Sequence, residues 1–271
     1  MNETLEGMSI ADPKISIGIV VYNGVEHIGS ALKSIADQSY KNIEAIVVDG
    51  GSTDGTLDIL EEYSKCISVM VSEPDKGIYD AMNKVCSLAT GDWLIFLGCD
   101  DELLASLGDL TKLMTDPGTV YYGDVIFKSI GIIYGGRFSK IRLMRSNICH
   151  QAIFYPKWVY KNYAYNLQYK WWADYVYNLK LMGEGIPFVY MKAVVTLFND
   201  KGGSIHGDSK VERQIFSILR SSFGTPYALL GLLLRSIDKA FRALVSAVKY
   251  LLPDSVRKHL RPFWRIIRKI F

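Results

Sequence analysis

Trp93-Leu94-Ile95-Phe96-Leu97-Gly98-Cys99-Asp100-Asp101 is a short apolar run that stops abruptly at two adjacent carboxylates. It follows Gly91-Asp92, is too short for a helix and lacks the alternation of a half-exposed strand, so it reads as a buried central strand. In open α/β sheets, ligands bind at the carboxyl ends of such strands. Two carboxylates there repel each other unless a cation sits between or above them. A hard divalent ion clamping a diphosphate is the usual resolution. The alternative is an Asp-Asp pair that caps a helix opening at Glu102-Leu103-Leu104. The pair alone does not choose between them.

The segments upstream repeat the pattern. The sequence predicts strands over Ile15 to Val21, Ile43 to Val48 and Ile67 to Val71. It predicts helices from Val25 to Ile35, Leu57 to Tyr63 and Ile78 to Ala89. Strand–helix alternation at this short spacing is the signature of a parallel sheet with helices on both faces. After residue 118 the pattern becomes mixed. Strands are expected at Val120 to Tyr122, Val125 to Phe127, Ile130 to Tyr134, Ala152 to Tyr155 and Val194 to Phe198, with a helix from Trp172 to Met182. The expected organisation is residues 1–223 as one α/β domain, with a nucleotide-binding half at about 14–115 and an acceptor half at 116–223. Residues 224–271 form a basic helical tail.

Composition narrows the class. The 271 residues are 49% apolar and 22% charged, ordinary for a folded chain with a substantial core. Cys66, Cys86, Cys99 and Cys149 show no zinc or disulfide spacing, which fits a reducing compartment. The opening Met1-Asn2-Glu3-Thr4-Leu5-Glu6 is acidic without an apolar core, so no secretory signal is expected. No stretch reaches the length of a membrane span.

The net charge of +3 hides an asymmetry: residues 224–271 carry ten Lys/Arg against Asp238 and Asp254, a charge of +8, leaving −5 elsewhere. Tyr227 to Leu252 carries apolar residues at helical spacing. After Pro253, a last helix capped by Ser255 is expected to run to Ile270, with Trp264 and Phe263 on one side and bases on the other. A basic amphipathic helix of this kind suits an anionic membrane surface. The alternative is a docked helix whose bases are merely solvated. The apolar face argues against nucleic acid as the partner.

Four motifs follow the predicted strands and would share one sheet edge. They are Val20-Val21-Tyr22-Asn23, Val47-Val48-Asp49-Gly50-Gly51-Ser52-Thr53-Asp54-Gly55-Thr56, Ser72-Glu73-Pro74-Asp75-Lys76-Gly77-Ile78-Tyr79-Asp80-Ala81-Met82-Asn83-Lys84, and the Asp100-Asp101 strand end. Each has a local alternative, such as a tight turn at Asp49-Gly50-Gly51 or a helix cap at Asp54. Together, from about Lys14 to Leu104, they resemble the inverting nucleotide-sugar glycosyltransferases of family 2, which have the GT-A fold: a Rossmann-like mixed α/β sheet with helices on both faces. The third motif resembles the bacterial branch that builds exopolysaccharide, O-antigen and colanic acid. Cys149-His150-Gln151, Trp172-Ala173-Asp174-Tyr175 and Phe198-Asn199-Asp200-Lys201-Gly202-Gly203-Ser204 extend the resemblance more loosely.

The resemblance implies roles at matching positions. Tyr22 and Asn23 flank the nucleotide base, and Asp49 accepts from the base ring, which favours uracil although guanine also offers donors. Lys76 sits near the diphosphate, and Asp80 and Asn83 face the donor pocket. Asp100 and Asp101 bind ribose and the Mn²⁺ or Mg²⁺ that bridges the phosphates. The family usually has Asp or Asn where this chain has Gly98, so which aspartate ligates metal stays open. Asp174 is the implied catalytic base, with Trp172 stacking on sugar; its alternative is a helix-dipole charge. His150 and Gln151 lie beside the acceptor, although His150 is equally readable as a structural hydrogen-bonder. His206 is placed on a loop near the diphosphate.

The function expected is transfer of one sugar, with inversion, from a nucleotide-diphosphate donor to a saccharide acceptor, in surface polysaccharide biosynthesis. A polyprenyl-diphosphate-linked acceptor at the cytoplasmic face of a bacterial membrane is expected, with the enzyme held peripherally there. A nucleotidyltransferase competes, but Val21-Tyr22-Asn23-Gly24-Val25-Glu26 lacks the Gly-rich basic loop it needs. The other competitor is a catalytically inactive subunit that only binds sugar nucleotide or polysaccharide.

Overall fold

The computed structural model describes residues 12–201, 207–253 and 256. The expectations for the opening segment, for the loop with His206 and for the last amphipathic helix lie outside these residues.

The first hundred residues alternate as the sequence predicts: β1 (Ile15–Val21), α1 (Ile28–Ala36), β2 (Ile43–Asp49), α2 (Thr56–Glu62), β3 (Val69–Ser72), α3 (Ile78–Leu88) and β4 (Trp93–Gly98). β5 (Glu102–Leu103) and α4 (Leu107–Thr111) follow. β5 pairs antiparallel with a late strand, so the Asp-Asp pair does not cap a helix at Glu102. Next come β6 (Val120–Phe127), β7 (Ile132–Tyr134), α5 (Lys140–Leu143), β8 (Ile153–Pro156), α6 (Lys157–Asn162), α7 (Ala173–Gly183), β9 (Phe188–Phe198), α8 (Ser209–Phe223) and α9 (Thr225–Leu251).

Among the described residues these strands form one mixed sheet in the order β3-β2-β1-β4-β8-β6-β9-β5, with β7 against β6. β3, β2, β1 and β4 are mutually parallel. β8 joins them to the second half by pairing antiparallel with both β4 and β6. Gly123-Asp124, expected as a break between two strands, is a register shift inside the single strand β6. The bulge suits Asp124, whose carboxylate there accepts from Gly136 N–H at 2.6 Å and from the Tyr190 hydroxyl at 2.6 Å.

Alternation along the central strands feeds two cores. Ile15, Ile17, Ile19, Val47, Ile95 and Leu97 pack with α1 and α4 on one face. Ile46, Val48, Leu94 and Phe96 pack with α3, α7 and α8 on the other. Strands covered on both sides carry apolar residues almost continuously, which is what made the Trp93 run legible.

α9 is docked along one side only. Ala228, Gly231 and Asp238 are buried, and Asp238 accepts two hydrogen bonds from Arg145, at 2.8 and 2.5 Å. On the opposite side Leu229, Leu233, Ile237, Phe241, Leu244 and Val248, three or four residues apart, are all at least 40% exposed. No helix among the described residues is long and apolar enough to cross a membrane.

At the amino ends of the parallel strands, buried Glu44 of β2 is a hub. It accepts from Ser16 Oγ (2.5 Å), from Thr90 N–H and Oγ1 (2.5 and 2.7 Å) and from Gly91 N–H (2.9 Å), and it pairs with Lys14 at 2.6 Å. Burial pushes its carboxyl upward, but Lys14, Ser16 and Thr90 outweigh that and bring it down to about 2. A depressed folded value means that Glu44 stabilises the fold above the unfolded value of about 4.3, and that this contribution is lost as pH falls toward 2. Glu44→Gln is therefore expected to cost about 1–3 kcal/mol at pH 7 in urea unfolding. It should also flatten the decline in stability between pH 4.5 and about 2; an unchanged acid profile would show that Glu44 is not the hub.

Candidate active site

The carboxyl ends of β1, β2 and β4 finish level with one another: Val21 faces Asp49, and Val20 faces Gly98. This puts the motifs along a single edge, which divides into two regions.

The first region lies at the ends of β1, β2 and β3. Tyr22 is exposed, and its ring flanks Gly50. A β-carbon on Gly50 would lie 3.3 Å from Tyr22 Cδ2 and 2.7 Å from Asp75 Oδ2, so a glycine is what lets the ring and the carboxylate approach this turn so closely. Asn23 has a left-handed backbone (φ 49°), donates its N–H to Ser52 Oγ and accepts from Thr53 N–H. Asp49, expected to meet the base, is fully buried and already committed. It accepts from Gly51 and Ser52 N–H at 3.0 Å each, from Ser72 Oγ at 2.7 Å and from Ser52 Oγ. Burial raises its carboxyl, and these four donors hold it below the usual aspartate value. The direct base contact expected of Asp49 is thus corrected: its carboxylate is spent on shaping the turn, and the carboxylate beside Gly50 and Tyr22 is that of Asp75, whose Oδ1 accepts from Gly77 N–H at 2.7 Å.

Two more expectations change here, at Asp80 and Asn83. Lys76 is exposed at the start of α3, with its N–H donated to Asp80. Asp80 thereby braces the helix entry instead of facing a pocket. Asn83 also faces elsewhere: its amide donates to Tyr165 O at 3.0 Å and accepts from Tyr165 N–H at 2.8 Å, so both halves are spent on one loop.

The second region is a cavity of about 470 Å³ between the end of β4, the start of α3, the end of β9 and the start of α7. Asp100, His150, Gln151, Trp172 and Asp174 all line it. Asp174 stands in the first turn of α7 and is buried. Three donors converge on it: Asn147 Nδ2 at 2.7 Å, His150 Nδ1 at 3.2 Å and the Tyr79 hydroxyl at 2.8 Å, whose one hydrogen is shared with the Trp171 carbonyl at 2.6 Å. Burial and the Asp174 charge push the Tyr79 phenol well above its ordinary value, so it stays a donor. Tyr79 and Asn147 went unrecognised in the sequence. Tyr79 sits inside the third motif, but Asn147 is 27 residues from its partner with no motif around it.

The two aspartates at the end of β4 have different fates. Asp101 turns inward, with 1% of its surface exposed, accepting from Asn199 N–H at 2.6 Å and Gly98 N–H at 3.2 Å. Burial raises it to about 6, with the neighbouring Asp100 charge adding, while the Asn199 N–H and Gln151 amide pull the other way. Gln151 thus lies between Asp101 and the cavity, whose lining it shares with Asp174. Asp100 is half-buried and faces the cavity, and its Oδ2 accepts from Asn199 Nδ2 at 2.8 Å. Of the two expected metal ligands, only Asp100 has a carboxylate at the cavity. Gly98 explains the arrangement: a β-carbon there would collide with Asp101 Oδ2 and lie 3.0 Å from Asp100 Oδ1.

Among the described residues no three His, Cys, Asp or Glu side chains are grouped to hold a metal on their own. The Asp100 carboxylate, as a single protein ligand, fits a hard cation that keeps waters and takes its remaining oxygens from a substrate's phosphates.

A family model described as Glycosyl transferase family 2 matches residues 16–173. A PGL/p-HBAD biosynthesis glycosyltransferase of Mycobacterium bovis BCG is 38% identical over 205 residues, spanning 72% of this chain and 80% of that one. A putative teichuronic acid biosynthesis glycosyltransferase of Bacillus subtilis is 39% identical over 93 residues, 33% of this chain and 37% of that one. The solved structure of S. aureus TarS 1-349 in complex with UDP-GlcNAc has a TM-score of 0.59 at 17% identity, covering 77% of this chain and 71% of that chain. A Pyrobaculum calidifontis mannosyltransferase in complex with GDP-Man and Mn²⁺ has a TM-score of 0.60 at 18% identity, covering 95% and 86%. At such identities the likeness is one of fold, and that fold is GT-A.

The packing at Gly98 can be tested by a double-mutant cycle. Gly98→Ala is expected to destabilise by about 1–3 kcal/mol, because the new methyl displaces the Asp101 carboxylate. In an Asp101→Ala background most of that cost should disappear, giving a coupling above about 0.5 kcal/mol in denaturant unfolding. Additive effects would rule out the contact.

Proposed function

The chain belongs to glycosyltransferase family 2, and from that membership we propose that it moves one sugar, with inversion, from a UDP-sugar to a hydroxyl of a lipid-linked saccharide. The observation that carries the proposal is Asp174. It is a buried carboxylate on the wall of the same cavity as Asp100, oriented by Tyr79, Asn147 and His150. In an inverting displacement the acceptor oxygen bonds to the anomeric carbon on the face opposite the diphosphate. The bond from anomeric carbon to phosphate oxygen breaks, and the hydroxyl proton must leave as this happens. Asp174 receives that proton. Trp171 and Trp172 line the cavity beside it and offer flat faces to a sugar ring.

Tyr22 and Asp75, side by side at the ends of the first strands, flank the base in this reading, with the Asp75 carboxylate accepting the N3–H of uracil. Asp49 and Asn23 hold the surrounding turns. Asp100 would hold Mn²⁺ or Mg²⁺ together with the donor diphosphate, and the ion would offset the charge that builds on the leaving group. Asp101 supports the strand end. Residues 1–223 make up the transfer domain, with donor and acceptor halves meeting at the β4–β8 pairing.

Residues 224–271 provide the membrane contact in this proposal. The outward apolar row on α9 and the strong positive charge of the segment suit an anionic lipid surface. That surface is the inner face of a bacterial cell membrane, where a polyprenyl-diphosphate acceptor used in surface-polysaccharide assembly would reside.

A panel of UDP- and GDP-sugars, with and without Mn²⁺, is expected to show metal-dependent release from a UDP-sugar; silence across the panel would sink the reading. Asp174→Asn should keep donor binding and lose about 10²–10⁴-fold in transfer. Unchanged transfer would leave only a binding subunit, while Asp75→Asn should weaken UDP binding selectively. Leu233→Glu with Leu244→Glu, both at exposed positions, should abolish co-sedimentation with vesicles containing phosphatidylglycerol. Undiminished pelleting would remove α9 from the membrane contact.

A further inference from the structure

A second cavity, of about 900 Å³, lies between α9 and the segment from β7 to α5. It adjoins the Asp174 cavity, and Tyr134, Arg145, Ser146, Trp172 and Arg235 line both. Its charge is lopsided: Arg142, Arg145, Arg235, Lys239 and Arg242 face it against Glu212 and Asp238. Both carboxylates are already bonded to arginines, although the Asp238 charge is also felt by Arg242 one turn on. Asp238 takes the bidentate bond from Arg145, and Glu212 pairs with Arg235 at 2.6 Å. Arg142 is turned to the carbonyls of Gly135 and Arg137. Lys239 and Arg242 remain exposed on α9, with no hydrogen bond or ion pair to any described residue.

We propose that this groove binds the phosphate or diphosphate of the acceptor's carrier, with Lys239 and Arg242 as its direct partners. Arg145 and Arg235, held in place by Asp238 and Glu212, act as positioning residues at the mouth of the catalytic cavity. The inference rests on the sugar-transfer reading and adds the place where the acceptor's anionic end is gripped. Three features support it. Two solvated cations separated by one helical turn match a group with several anionic oxygens. The groove opens into the cavity that holds Asp174, so a phosphate in the groove and a hydroxyl at Asp174 can belong to one molecule. The other side of the same helix carries the apolar row from Leu229 to Val248, which brings the groove beside the layer from which an amphiphile would enter.

The test uses the full chain saturated with UDP, so that the donor site is already filled. Geranyl diphosphate and inorganic diphosphate are each titrated by calorimetry. Both are expected to bind without displacing UDP, and Lys239→Gln with Arg242→Gln should weaken both by tenfold or more while UDP affinity stays within twofold. Competition between diphosphate and UDP, or equal binding by the variant, would overturn the proposal. A separate arm uses vesicles containing phosphatidylglycerol. If the variant loses vesicle binding but keeps both diphosphates, the cations serve a bilayer headgroup and the acceptor proposal falls. Failure of UDP itself to bind would strike the sugar-transfer reading instead, so the two failures are distinguishable.

Discussion

The buried carboxylate of Glu44 is the constraint from which the rest of the edge follows. A parallel sheet has no hairpins to set its register, and a slip of one residue turns every side chain to the wrong face. Glu44 gathers Ser16 from β1 and Thr90 and Gly91 from the approach to β4, so three strands start level. Strands that start level and run parallel also end level. That is why Tyr22, Asp49 and Asp100, far apart in sequence, emerge side by side. The chemistry at one end of the sheet is thus aligned by a charge-assisted cluster at the other.

Much of this was readable beforehand. The strand–helix alternation through β4 stood out because strands buried on both faces write continuous apolar runs, and the four motifs stood out because each interrupts such a run. Asp100 was singled out by the same route, whereas Asp174, at a helix start, was singled out only through the family resemblance. What stayed hidden shares one cause: partners distant in sequence, joined by hydrogen bonds that no local pattern encodes. Asp49 looked like a ligand because an aspartate at a strand end is free until Ser52 and Ser72 are seen donating to it. Asn83 looked like a pocket residue until the Tyr165 backbone claimed both ends of its amide. Asn147 carried no signal at all. Gly123-Asp124 imitated a turn because a bulge uses the same residue types, and Glu102-Leu103 was too short to show its period.

Gly98 was legible as a departure but not as a reason. Without a side chain there, the Asp101 carboxylate folds back onto the Gly98 N–H and is joined by the Asn199 N–H, which ties the end of β4 to the end of β9. The acidic cluster expected of the family is thereby split into a supporting member and a cavity-facing one. Burial separates them: Asp101, almost wholly out of water, has its carboxyl pushed up to about 6, while Asp100 stays half-exposed at the cavity.

The docking of α9 along a single side has a consequence for how this chain can change. Its inward residues form the wall of a groove, and its outward residues form the boundary of the molecule, separated by no more than the thickness of one helix. A rotation of the rod by a quarter turn would move both at once. Heritable variation in this segment is therefore tested twice, for how the groove is walled and for what the outer surface presents, so the two cannot drift independently.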